Sequence, residues 1–244
     1  MRRLKLIIEY DGTNYHGWQR QLVYRTVQQT LEEALEKITQ AKAPIVGASR
    51  TDRGVHAMGQ IAHCQIESSI SDQKLFKGLN TILPADIKIK TLKTVDKTFH
   101  AQRAARSKIY VYQIFNHRSP SPLLRHYSWW LRDPLNISKM KKAAQFLVGE
   151  QDFKAFQNTG TKLTSTIRTI FKSSIRKKSP YIIYEVKGNG FLKQMVRNIV
   201  GALVAVGKEV LTVEEFRELL ISKNRKLGPP PAPPQGLFLK KIFH

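Results

Sequence analysis

The feature that most constrains this chain is an alternation, repeated in both halves, between segments with strand periodicity and segments with helix periodicity. Leu4–Tyr10 is apolar and β-prone and predicts a strand. Asp11–Arg25 reads as a loop containing Gly12, Gly17 and Trp18. Thr26 stands at an N-cap position with Gln29 placed for a capping box, and Val27, Leu31, Ala34, Leu35 and Ile38 follow at helical spacing. Ala62, Cys64 and Ile66 alternate with polar neighbours, and in Ile109–Phe115 the residues Tyr110, Tyr112 and Ile114 share one strand face. In the second half Ser138–Leu147 predicts a short helix, Tyr181–Val186 a strand and Phe191–Val206 an apolar helix. Thr212 and Glu215 form another capping box at the head of a helix holding Phe216, Leu219 and Leu220. The run Gly228–Gly236 is too rich in proline for a helix or a central strand and predicts a rigid loop, followed by a terminal strand, Leu237–Ile242. The pattern is that of an α+β protein with two units, residues 1–105 and residues 106–244.

Charge decides the class of partner. Lys and Arg number 41 against 18 Asp and Glu, a net charge of +23, which repels itself unless a polyanion neutralises it. Nucleic acid fits better than a membrane, because no stretch approaches ~18 apolar residues and Met195–Val206 is interrupted by Arg197 and Asn198. The apolar run near Leu6–Ile8 is too short for a signal peptide. A single cysteine, Cys64, excludes an internal disulfide framework and fits a reducing, cytoplasmic setting. His56, His63 and Cys64 read as strand and loop residues, and no metal site is expected. Trp18, Trp129 and Trp130 read as core or hinge aromatics.

Chemistry concentrates in Gly47–Ala57, GASRTDRGVHA. Glycines bracket the segment, and Asp52 stands among Arg50, Thr51 and Arg53. Neighbouring cations favour the ionised carboxylate, so Asp52 is expected to serve as a nucleophile or base. A carboxylate placed in an RNA-binding loop repels phosphate, so a role in binding alone would be better served by another cation. A surface loop of exposed Arg–Asp pairs is the plainer alternative.

This segment is similar to the catalytic loop of the tRNA pseudouridine synthases of the bacterial TruA family. Further blocks agree in order: Tyr10–Gln19 (YDGTNYHGWQ), Thr26–Leu35, Leu83–Ile87, Phe99–Ala101, Tyr110–Tyr112, Gly190–Gly201 and Gly236–Leu239. The resemblance implies that Asp52 is the catalytic residue and that Tyr110 stacks on the target base. It implies that Arg50 and Arg197 line the pocket and that Leu237 closes its apolar side. It further implies the pseudouridine synthase fold, in which the mixed and antiparallel sheets of the two units join into one extended sheet flanked by helices. The first unit would carry the catalytic loop and the second would complete the cleft. A homodimer, no cofactor, and uridines 38, 39 and 40 of the tRNA anticodon arm as substrate are also implied. Ser49, Arg53 and Gln102 depart from the family pattern.

The chemistry suits these residues. The C1′–N1 bond breaks, the uracil turns, and C1′ joins C5, so nothing is oxidised and no group is imported. A base within a stem must be flipped out to be reached. One carboxylate can then attack C1′, add to the ring at C6, or remove a ribose proton. An aromatic such as Tyr110 offers its face to the detached base, or packs across strands in a half-buried sheet. Arg197 interrupts an apolar helix and needs an anionic partner, Asp52 or solvent at the helix edge. Arg20, Arg25, Arg53, Arg103 and Arg168 are candidates for RNA contact on grounds of charge. Two rivals remain at this level: a non-catalytic module for structured RNA, and a glycosylase releasing free base, which the absence of a second carboxylate in the loop disfavours.

Overall fold

The computed structural model describes residues 1–158 and 165–244, which fall into two compact units, Met1–Arg106 with Phe238–His244 and Ser107–Leu237. The fold is α+β. The terminal strand, grouped with the second half by the sequence division at residues 105 and 106, is grouped with the first unit in the structure, where Phe238 and Leu239 pair with His56 and Ala57.

In the first unit the elements run β1 (Arg2–Tyr10), α1 (Val27–Thr39), β2 (Val46–Gly47), β3 (His56–Ile66), α2 (Asp72–Ile82) and β4 (Ile87–Val95). Leu4, Leu6, Ile8 and Tyr10 are buried in alternation along β1, which pairs antiparallel with both β3 and β4. The α1 helix starts where the sequence places it. Thr26 caps it by accepting from the Gln29 amide, but the Gln29 side chain donates to Glu33 instead of reaching back, so only half of the capping box forms. Val27, Leu31, Ala34 and Leu35 are buried, while Ile38 is only partly so.

The second unit begins with β5 (Ser107–Asn116), β6 (Trp129–Leu131), α3 (Ile137–Gln145) and β7 (Gly149–Asp152). It continues with β8 (Ile167–Lys178), β9 (Tyr181–Gly188), α4 (Met195–Gly207) and α5 (Val213–Ser222). β9 lies between β5 and β8, with β7 beyond β8, all antiparallel, and β6 runs parallel to β5. The α4 helix opens four residues later than its apolar pattern predicts, because Gln194 takes the left-handed conformation (φ 58°) and ends the preceding loop. The Thr212–Glu215 box forms in both directions at the head of α5. No helix among the described residues is long and apolar enough to cross a membrane.

The chain ends in β10 (Leu237–Phe243), whose Phe238 and Leu239 pair parallel with His56 and Ala57. Of the tryptophans, Trp18 is buried, but Trp130 is exposed and donates its indole N–H to the His117 carbonyl.

Candidate active site

The catalytic-loop candidate spans the connection from β2 to β3, and its backbone is held at nearly every residue. The Ala48 amide donates to the Ile61 carbonyl at 2.7 Å. The side-chain amide of buried Gln60 grips the Ser49 peptide on both sides, accepting from its N–H at 3.3 Å and donating to its carbonyl at 2.6 Å. Thr51 is buried, and its hydroxyl shares a 2.8 Å hydrogen bond with the Tyr10 hydroxyl. The next residue, Asp52, opens a tight turn in which the Val55 amide donates to the Asp52 carbonyl at 3.1 Å. Gly54, at φ +75°, supplies the positive φ that a turn of this kind needs at its third residue. Asp52 is partly exposed, on a backbone these bonds hold in place.

The segment 10–18 forms the wall behind this turn. Trp18 donates its amide to the Thr51 carbonyl at 3.1 Å, and the Gly54 amide donates to the Tyr15 carbonyl at 3.3 Å. Two glycines make the approach possible. A Cβ on Gly17, already at φ +89°, would stand 2.5 Å from the Thr51 carbonyl oxygen and 3.1 Å from the Asp52 carbonyl carbon. A Cβ on Gly12 would stand 2.0 Å from the Val55 carbonyl oxygen. His56, buried at the start of β3, has Nδ1 within 3.0 Å of an Asp11 carboxylate oxygen and 3.1 Å of the Gly12 amide, and stacks on Phe238. Tyr15 donates to Asp86 at 2.6 Å; burial first, then that carboxylate, pushes the Tyr15 phenol well above its ordinary range.

The arginines divide clearly. Arg50 and Arg53 are exposed on the loop that carries Asp52. Arg20 and Arg25 stand on the adjoining loop, Arg20 ion-paired with Glu32 at 2.8 Å and Arg25 lying over the Tyr15 ring at 4.9 Å. Arg103 is exposed at the turn after Phe99, its amide donating to His100. These five belong to the first unit.

In the second unit Tyr110 is buried on β5, edge-to-face with Phe191 at 5.1 Å. The packing expected of a half-buried strand residue is thus present, and the ring sits beside a second aromatic. Tyr112, two residues on, donates to the Pro233 carbonyl at 2.7 Å, and its ring is so close that a Cβ on Gly236 would meet it at 2.6 Å. Arg197 lies on α4, partly buried, where its Nε donates to the Ala232 carbonyl at 2.8 Å while the Ala232 amide donates to the Arg197 carbonyl at 2.9 Å. It thereby fastens the proline-rich loop to α4, a partner the sequence did not suggest. Leu237 is buried where that loop ends. Arg168 is half-buried on β8, donating to the carbonyls of Ser165 and Ile167 and packed against Gly190. Burial, and then the charge of Arg168, lowers the Lys108 ammonium to about 8.

Sequence reasoning missed the residues that hold the loop: Tyr10, Gly12, Gly17, His56 and Gln60. The signal available was the pair of glycines in a segment that is otherwise bulky, YDGTNYHGW.

The chain is similar in sequence to tRNA pseudouridine synthases. The family model for tRNA pseudouridine synthase matches residues 6–102 and 143–243. A protein named tRNA pseudouridine synthase A from Thermoanaerobacter sp. (strain X514) is 45% identical over 244 residues, the whole of both chains. One of the same name from Acetivibrio thermocellus is 42% identical, again over the whole of both. Another, from Pseudothermotoga lettingae, is 40% identical over 99% of each.

Proposed function

The chain belongs to the tRNA pseudouridine synthase family, and from that premise we propose that Asp52 is its catalytic carboxylate and that uridines 38, 39 and 40 of the anticodon arm are its substrates. The protein is an isomerase that converts uridine to pseudouridine in tRNA. The observation that carries the assignment of Asp52 is the anchored turn: the backbones of Ser49, Thr51, Asp52, Gly54 and Val55 are all hydrogen-bonded, while Asp52 stays partly exposed. A reacting group is worth most when its position is fixed before substrate arrives.

The target nucleotide is flipped from the stack into the site. The carboxylate assists cleavage of C1′–N1, by attack at C1′, addition at C6, or removal of a ribose proton. The freed uracil turns, C1′ joins C5, the C5 hydrogen leaves to solvent and N1 takes up a proton. Tyr110 stacks on the base, Arg50 and Arg197 line the pocket, and Leu237 closes its apolar side. Arg20, Arg25, Arg53, Arg103 and Arg168 contact the RNA backbone, consistent with the net charge of +23. The enzyme works in the cytoplasm as a homodimer without a cofactor.

Mapping pseudouridine in tRNA treated with the enzyme tests the substrate. Modification confined to positions 38–40, lost at each position when that uridine is replaced by cytidine, is expected. Modification elsewhere would refute the anticodon-arm assignment. Sedimentation of an active monomer would remove the dimer.

A further inference from the structure

The loop that follows the wall of the catalytic turn presents an apolar tip to solvent. Leu22 is 106% exposed and Val23 84%, next to Tyr24 at 50%. Three consecutive apolar residues left in water are unusual: among the described residues the other exposed large apolar side chains, such as Leu123, Val210 and Leu227, stand singly in the sequence. The tip is not a loose end. Its neck is closed by three backbone bonds: the His16 amide to the Arg25 carbonyl at 2.9 Å, the Val27 amide to the Gly17 carbonyl at 3.2 Å, and the Gln28 amide to the Trp18 carbonyl at 3.0 Å. Above the neck, Tyr24 stacks on His16 with ring centroids 4.1 Å apart, and the Gln21 side chain donates to the His16 carbonyl. Arg20 is tied to Glu32, and Arg25 rests on Tyr15. A built loop therefore holds two aliphatic side chains outward.

Its place explains what they are for. The neck residues Tyr15 and Trp18 are the ones that bond Gly54 and Thr51 on either side of Asp52. From Trp18 to Leu22 the chain takes four residue steps, a reach of at most about 14 Å at ~3.4 Å per residue. That upper bound is the height of about four stacked bases at ~3.4 Å each. Cations stand on both flanks of the tip, Arg20 and Arg25, and on the catalytic loop beside it, Arg50 and Arg53. An apolar point ringed by positive charge suits a polyanion whose interior is a stack of bases, and proteins that deform nucleic acid insert such wedges between base steps.

We propose, on the reading that this enzyme flips a uridine out of tRNA, that Leu22 and Val23 form a wedge that enters the base stack beside the flipped nucleotide and holds the gap open. The wedge acts on the flipping step, while affinity for tRNA stays with the cations.

The test compares wild type, the double variant Leu22→Ser/Val23→Ser, and the conservative double variant Leu22→Met/Val23→Ile in single-turnover tritium release from tRNA labelled at C5 of uridine. Both side chains are exposed, so thermal melting is expected to be unchanged. The serine variant is expected to react 10–100-fold more slowly, with Kd for tRNA and its salt dependence within about threefold of wild type. The conservative variant should stay within about threefold in rate. A tRNA whose target uridine is mismatched, and so already unstacked, should recover most of the lost rate. Equal rates for the serine variant and wild type would overturn the wedge. So would a serine variant that is slow only because sedimentation shows it has lost a partner copy, since the tip would then be a contact between subunits. If wild type itself releases no tritium, the functional reading fails rather than the wedge.

Discussion

Gly17→Ala places a methyl group directly against the backbone that carries Asp52, and its consequence can be worked from the geometry. The new Cβ would lie 2.5 Å from the Thr51 carbonyl oxygen, 3.1 Å from the Asp52 carbonyl carbon and 3.3 Å from the Arg53 amide nitrogen. Ordinary contact begins near 3.4 Å, so the turn that carries Asp52 must retreat by about 0.9 Å, the difference between 3.4 and 2.5. A misplacement of about 1 Å costs on the order of 10²-fold in rate. Gly17 also sits at φ +89°, where a side chain adds about 1–2 kcal/mol of strain. Relieving the clash adds roughly 1–3 kcal/mol more. The control is Gly149→Ala: φ is +108° but nothing lies within 4 Å of the new Cβ, so strain is present without displacement. The expected result is a kcat lowered about 100-fold for Gly17→Ala, with tRNA affinity within a few-fold of wild type and melting lowered by several degrees. Gly149→Ala should lose about 1–2 kcal/mol of stability and no activity. Tritium release under saturating tRNA gives kcat, tRNA titration gives affinity, and melting calorimetry on each variant gives stability. Full activity in a folded Gly17→Ala protein would refute the claim that the wall at residues 10–18 sets the position of Asp52.

Two further outcomes follow from the same structure. Tyr10→Phe should cost about 1–3 kcal/mol by leaving the buried Thr51 hydroxyl without its 2.8 Å partner, and adding Thr51→Val should recover part of that; strictly additive losses in denaturant unfolding would deny the pairing. His63 is lowered to about 4 by burial, then by His100 and Arg3, so between pH 6.5 and 4 the unfolded chain binds the extra proton. Stability should therefore fall as pH drops through that window, and less steeply in His63→Gln; identical pH profiles for the two proteins would contradict this.

How much of this was legible in the sequence varies by element, for physical reasons. β1, α1 and α5 could be read because each buries one face at its own period and carries a cap or a clean alternation. β8 escaped because a register shift between Ile170 and Lys172 breaks its period of two, and much of its length is basic and exposed. α2 escaped because it buries only Leu75 and Leu79. At the proposed site, Asp52, Arg50 and Thr51 stand out by type, since a carboxylate among cations is costly in a protein built for phosphate. What holds them does not. That Gly12 and Gly17 back onto Val55 and Thr51, and that Gln60 grips Ser49, are long-range contacts with no local pattern. The bond from the Arg197 Nε to a backbone carbonyl of the proline-rich loop is likewise a long-range contact that residue type does not announce.

The most direct test of the central claim is tritium release from C5-labelled tRNA by wild type and by Asp52→Ala. Closing the C1′–C5 bond expels that hydrogen, so the signal follows the isomerisation itself. Release by wild type, none detectable from Asp52→Ala, and equal tRNA binding by the two is the result expected. Release by Asp52→Ala at a rate near that of wild type would contradict the assignment of Asp52.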